Sequence, residues 1–240
     1  DQSIPELTRI RTMASIPFGC RYRLIDFPLS NMVNSDITTV GIITHNNYQS
    51  LMDHIGTGKD WDLARRSGGI KLLPPYVAAY ENTVAGRLYS SRLEALIGAE
   101  NFVHRCQTDY LVLSDCDVIL NIDLRQVIEE HIRSGAFLTV VTKQLGSVAH
   151  SFDSPVDVVR VGEDGDIEEI TRVRSQRGAC EVSTNVMVVR RSDLLAIISE
   201  SLSHGYTSFS GDVIGRNLGR QRTRAYRYTG WYAHIDSLPS

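Results

Sequence analysis

Short, unbroken apolar runs alternate with amphipathic segments along most of this chain, and that alternation limits its possible folds more than any other feature. Residues 40–43, 110–113 and 137–141 are continuously apolar rather than alternating in polarity. Strands covered on both faces have that character, so the pattern predicts buried members of a parallel sheet. Residues 26–34, 47–55, 83–103 and 124–134 read as helices, the third interrupted near Gly86. The last places Leu124, Val127, Ile128 and Ile132 on one face and stops at Gly135. Together these elements predict an α/β fold with a mostly parallel mixed sheet and helices on both sides. The second half changes character: residues 156–161 and 167–172 read as two strands joined by an acidic turn through Gly165. Residues 182–190 form another strand, 193–203 a helix with Ser192 as N-cap, and 224–228 a late strand. With no repeat, low-complexity stretch or linker, one domain over residues 1–240 is expected.

Composition excludes several function classes. A formal charge of −3 gives no general bias toward nucleic acid or an anionic membrane. No apolar run approaches the roughly 18 residues of a membrane span, and no signal-peptide pattern is present. Cys20, Cys106, Cys116 and Cys180 lie far apart without C-x-x-C spacing, which predicts reduced thiols rather than disulfides or a metal site.

In an open α/β sheet, ligands sit beyond the carboxyl ends of the strands. The best candidate is therefore Tyr110-Leu-Val-Leu-Ser-Asp-Cys-Asp117, an apolar strand emptying into Asp115 and Asp117. Carboxylates are the hard oxygen donors that Mg²⁺ accepts. The plain alternative is that both acids cap the following turn, and the D-x-D pattern is common here, recurring at Asp60-Trp-Asp62 and Asp164-Gly-Asp166. Arg21 and Arg23 flank Tyr22, while Arg172, Arg174, Arg177, Arg216, Arg220, Arg222, Arg224 and Arg227 crowd the second half. Arginine's planar fork suits phosphate, so these are candidates for holding a sugar-phosphate effector. A solvated, salt-bridged face is the other reading. His45, His54, His104, His131, His150, His204 and His234 lack metal-ligand spacing. Trp61 and Tyr76 are aromatics on a loop, suited either to anchoring a partner chain or to burial.

The block Ser15-Ile-Pro-Phe-Gly-Cys-Arg-Tyr-Arg-Leu-Ile-Asp-Phe-Pro-Leu-Ser-Asn-Met-Val-Asn34, leading into Thr39-Val-Gly-Ile-Ile-Thr44, resembles the sugar-1-phosphate nucleotidyltransferases. It is most similar to the bacterial glucose-1-phosphate adenylyltransferases. The stretches Asn46–His54, Lys59–Leu63 and Leu73-Pro-Pro-Tyr76 resemble the GlgD-type subunit of that family. The resemblance implies a Rossmann-like, GT-A-like domain, with a left-handed β-helix domain outside this sequence. It also implies a first strand and glycine-rich phosphate loop that are expected to precede Asp1. The implied reaction is ATP plus glucose 1-phosphate to ADP-glucose and pyrophosphate, with Mg²⁺, in cytoplasmic glycogen synthesis. The implied partner is the catalytic subunit, in a hetero-oligomer or homo-oligomer. Nucleic acid and membrane are not expected partners.

The same resemblance exposes departures. The Asp that holds metal after the strand in catalytic relatives falls on Cys116, and a thiol is a poor Mg²⁺ ligand. A shift of one residue would offer Asp115 or Asp117. The second metal Asp, in a Trp-Arg-Asp-Val-Gly-Thr-Ile pattern, falls on Trp231 when Ile235 is held in register. The lysine before the Pro-Phe-Gly turn is Met13, and that of the phosphate-binding Glu-Lys-Pro is Val173. The base-recognising Gly-Thr-Ala-Asp-Ala becomes Ser91-Arg-Leu-Glu-Ala95, with Arg92 replacing a small residue and Glu94 the acid. Ser183 and Asp212 match family positions. The departures predict a regulatory subunit, weakly active or inactive, in which Mg²⁺ is not bound catalytically. A competent nucleotidyltransferase using Asp115 or Asp117 remains an alternative. A metal-dependent GT-A-type glycosyltransferase is a further one, which the Pro-Phe-Gly block disfavours.

Overall fold

The structure is a computed structural model that describes residues 4–44, 47–65, 68–74, 89–147 and 149–237. Residues 83–88 of the expected third helix, together with Tyr76 and His45, lie outside the described residues.

The chain opens with a short helix α1 (Pro5–Thr8) and a tight pair of dipeptide strands, β1 (Pro17–Phe18) and β2 (Tyr22–Arg23). Their turn needs left-handed backbone at both Gly19 (φ 58°) and Cys20 (φ 72°). Helix α2 (Asp26–Asn34) follows with its expected bounds, then β3 (Thr39–Ile43) and α3 (Gln49–Ile55). Strand β4 (Gly69–Leu73) pairs with β3 in parallel. The expected long helix is two: α4 (Arg92–Gly98) and α5 (Glu100–Arg105), broken at Ala99. Strands β5 (Tyr110–Leu113) and β6 (Val118–Leu120) come next, then α6 (Leu124–Ser134), whose bounds match the sequence reading. Its N-cap Asp123 accepts the Arg125 N–H, and Gly135 ends it in left-handed conformation at φ 62°.

The remaining strands β7 (Leu138–Leu145), β8 (His150–Val161), β9 (Ile167–Gln176) and β10 (Cys180–Arg190) precede α7 (Arg191–His204). A π-helix over Phe209–Gly215, β11 (Thr223–Arg227) and β12 (Tyr232–His234) complete the described chain. Ser192 is not the cap of α7. The helix starts at Arg191 with Arg190 in the N-cap position and no side-chain cap.

Six strands form the main sheet in the order β11-β7-β10-β8-β9, with β5 also on β10. Strand β10 is its hub. Its first half lies between β7 and β8, its last residues lie between β7 and β5, and the ladder to β7 shifts register between Ser183 and Met187. The expectation of a mostly parallel sheet is corrected here. Among the described residues only β11/β7 and β3/β4 are parallel, while β5, β7 and β8 all run antiparallel to β10, and β9 to β8. Burial on both faces produced the misleading signal. Val189, Leu138 and Val140 pack on one side with Leu93 and Leu96 of α4 and Leu194 and Ile198 of α7. Val188 and Val141 pack on the other with Leu124 and Val127 of α6. A doubly covered antiparallel strand is as continuously apolar as a parallel one.

Among the described residues β3 pairs only with β4, and β5 only with β10. The facing edges of β3 and β5 border a largely apolar cavity of about 460 Å³, closed by Leu29 of α2 and Leu96 of α4. Its lining includes the carboxyl ends of both strands, at Thr44 and at Ser114–Cys116.

Candidate functional site

Beyond β5 the backbone turns through Ser114-Asp115-Cys116-Asp117 before re-entering the sheet pair β6/β12. That turn gathers several half-buried charged side chains. Arg92, on the first turn of α4, points its Nε toward Asp115 Oδ1 at 3.5 Å. The same guanidinium donates to the backbone oxygen of Asn185 at 2.9 Å and lies over the Phe209 ring at 5.6 Å. One side chain therefore ties α4 to the end of β5, the β10 bulge and the π-helix. Burial is the main cause that raises the Asp115 pKa, to about 6, with Arg92 opposing it and Asp117 reinforcing it.

Asp117 and Asp236 face each other across His234. The imidazole puts Nε2 at 3.4 Å from Asp117 Oδ2 and Nδ1 at 3.5 Å from Asp236 Oδ2. Asp236 Oδ2 also accepts the Ser154 N–H at 2.8 Å. Burial disfavours a charged His234, but the hydrogen bond to Asp117 and the nearby carboxylates outweigh it and raise the pKa. Asp117 Oδ1 is buried with no hydrogen-bond partner among the described residues. Asp157 of β8 lies close by, its carboxyl pushed up by burial against the opposing pull of Arg172, Ser210 and Arg92.

Cys116 lines the cavity between these acids. Burial first, then Asp117 and Asp115, push its thiol far up, which favours the neutral form, and a thiol is a poor Mg²⁺ ligand. Trp231 is 66% exposed and does not line the cavity. The donor set does not fit Mg²⁺: one carboxylate is matched by Arg92, another pair is spread across an imidazole, and the residue between Asp115 and Asp117 is a neutral thiol. Among the described residues no group of three His, Cys, Asp or Glu side chains is placed to hold a metal ion.

The other candidates have local partners. Glu94 belongs to the start of α4, accepting the N–H and hydroxyl of Ser90 while Ser91 Oγ accepts the Glu94 N–H. Asp212 is likewise spent on local backbone, accepting the N–H groups of Thr207 and Ser208, which hold its pKa down. Ser183 is buried at the β10 bulge, where its Oγ accepts the N–H of Asn185, itself at φ 60°. Arg21 stacks on Tyr22, and Arg23 donates to the backbone oxygen and hydroxyl of Ser50; neither lines the cavity. Five of the eight later arginines pair with acids: Arg216 with Asp212, Arg222 with Asp166, Arg224 with Glu130, Arg227 with Glu181 and Arg172 with Asp157, while Arg174 donates to the backbone oxygen of Asp153. His54 donates from Nε2 to Asp26 Oδ1 at 2.6 Å and meets the Trp61 ring edge-on, so both residues make contacts within the chain.

His234 and Asp157 were missed from sequence. Asp157 sits on a strand that gave only a β signal, and His234 faces Asp117 on a distant segment.

A family model for nucleotidyl transferases matches residues 4–171. Glycogen biosynthesis protein GlgD of Bacillus subtilis is 40% identical over 141 residues, covering 58% of this chain and 39% of that protein. Glucose-1-phosphate adenylyltransferase of Clostridium acetobutylicum is 28% identical over 237 residues, covering 98% of this chain and 60% of its own length. The chain thus spans between about two fifths and three fifths of the curated relatives it matches. A solved Bacillus anthracis chain, described as a glucose-1-phosphate thymidylyltransferase in complex with a sucrose, superposes with a TM-score of 0.69 at 18% identity. That match covers 97% of this chain and 85% of the other, and supports the Rossmann-like α/β fold.

Proposed function

The chain belongs to the nucleotidyl transferase family, and from that premise we propose that it is the nucleotidyltransferase-like domain of a GlgD-type subunit that does not itself turn over substrate. In this reading the complete protein assembles with a catalytic glucose-1-phosphate adenylyltransferase subunit in glycogen synthesis, in the cytoplasm, and acts through that assembly. Such a subunit changes its partner's activity only by binding the partner's active and inactive states unequally. The similarity to GlgD over 141 residues supports the subunit type.

One observation carries the non-catalytic part. Nucleotidyl transfer requires the charge developing on a polyphosphate to be neutralised and its α-phosphate to be held in line. Here the turn where that would happen presents a protonated thiol between two acids, with Arg92 filling the approach and already bound to Asp115.

The cavity between β3 and β5 belongs to the same proposal. Among the described residues β3 and β5 each lack a second strand partner beside an apolar space, and buried backbone groups left unpaired are costly. We read the cavity as the berth of a further strand of the longer polypeptide, which would join β4-β3 to the main sheet.

ATP titrated calorimetrically into the protein, once with Mg²⁺ and once with EDTA, tests the site. The affinities should agree within about twofold. A gain of about tenfold or more with Mg²⁺, abolished by Asp115→Asn or Asp117→Asn, would contradict the proposal.

A further inference from the structure

The end of the main sheet opposite the candidate site carries positive charge that the chain does not neutralise. Strand β5 begins there at Tyr110, β10 ends there at Arg190, and α7 starts at Arg191. Arg105 is the last residue of α5, and Cys106 follows it. Burial raises the Cys106 pKa while Lys71 of β4 and Arg191 oppose the shift, which sets both cations near that thiol. Lys71, Arg105 and Arg190 are exposed and Arg191 is half-buried. Among the described residues none of the four pairs with a carboxylate.

Two of these cations are held in place by uncharged groups. The Arg190 guanidinium lies over the Tyr110 ring at 5.5 Å, and His131 meets the same ring edge-on. Arg191 donates from Nε to the Thr108 backbone oxygen at 3.1 Å and from its N–H to that of Asp109 at 2.7 Å. Neither contact offsets a charge. Asp109 and Asp193 are the carboxylates of the same segments, so four cations against two acids leave two positive charges, on a chain whose formal charge is −3. The amino end of α7, with no side-chain cap, adds to the same sign.

An apolar side chain borders this surface. Ile132 is 51% exposed and follows the His131 that packs on Tyr110. Helix α6 ends two residues later, close to where Leu138 of β7 pairs with Val189 of β10. Arginines fixed on an aromatic ring beside an aliphatic residue are characteristic of protein contact surfaces. A phosphate backbone or an anionic lipid surface calls for denser positive charge, and Asp109 and Asp193 interrupt it here.

We propose that Lys71, Arg105, Arg190 and Arg191, with Ile132, form the docking surface for an acidic segment of the catalytic adenylyltransferase subunit. This rests on the reading of the chain as an assembling subunit, and it adds which face makes the contact. Charges at the rim of such a contact govern the rate of encounter and its salt dependence, while apolar contacts slow release.

The test follows association of the complete protein with the catalytic subunit by stopped-flow fluorescence, at low and at high salt. At low salt Arg105→Glu should slow association about fivefold, and high salt should remove most of the difference. Arg177→Glu makes the same charge change at the turn between β9 and β10, and should stay within about twofold of wild type. Ile132→Ser should speed dissociation and leave the association rate unchanged. Arg105, Arg177 and Ile132 are exposed, and equal melting temperatures would show that the variants fold alike. Equal association rates for Arg105→Glu and Arg177→Glu would overturn the proposal. So would capture of wild type by phosphatidylserine vesicles or a DNA duplex that Arg105→Glu abolishes, with subunit association unchanged. Association indifferent to Arg105 sinks this inference alone, whereas no association of the wild type with the catalytic subunit would sink the functional reading beneath it.

Discussion

His131 and His234 are both shielded from solvent, and their surroundings push them in opposite directions. His131 is 2% exposed on the inner face of α6, with Nδ1 2.9 Å from Thr139 Oγ1 and the Tyr110 ring edge-on. Burial, aided by Arg190, holds its pKa below the ordinary value. A histidine kept neutral by folding contributes stability that is present above its unfolded pKa and lost as pH falls through the folded one. Wild-type urea midpoints should therefore fall more steeply than those of His131→Gln between roughly pH 7 and pH 5. Parallel curves would refute the assignment. At this scale the sequence disclosed substitutions better than replacements: Cys116, Trp231 and Arg92 were legible because each broke a known local pattern. His234 was not, since its role arises only when Asp117 and Asp236 are folded against it.

Among elements, α6 shows what periodicity can and cannot tell. Its bounds and its Gly135 stop were readable, but Ile132 was expected inside and is 51% exposed. His131, seven residues from Leu124, completes the buried stripe instead, and Ile132 falls one step further around the helix. Strand direction was not legible at all, because apolar continuity reports covering of both faces rather than the sense of the neighbour. The unpaired edges of β3 and β5 lead to a measurement at this scale. In the longer protein, hydrogen exchange should show both sets of amides on each strand protected: those facing the paired neighbour and those facing the cavity. Exchange of the cavity-facing amides at unstructured rates would rule out a strand seated there.

Taken whole, the molecule keeps a nucleotidyltransferase frame while spending the site's charges on itself. Most of the later arginines that looked available for an anion are bound to acids on neighbouring strands and helices, a surface network of modest individual value. The frame was legible from the Pro-Phe-Gly block and the strand–helix order, and the family match over residues 4–171 agrees with it. The departures from the family pattern were legible, because single residues carry them, but the contacts of Asp115 with Arg92 and of Asp117 with His234 arise only on folding. The most direct test of the central claim is pyrophosphate release from ATP and glucose 1-phosphate by the complete protein, alone and mixed with a catalytic adenylyltransferase subunit. The account predicts no release above background alone and an altered rate in the mixture. Release by the protein alone, at a rate near that of the catalytic subunit, would contradict it.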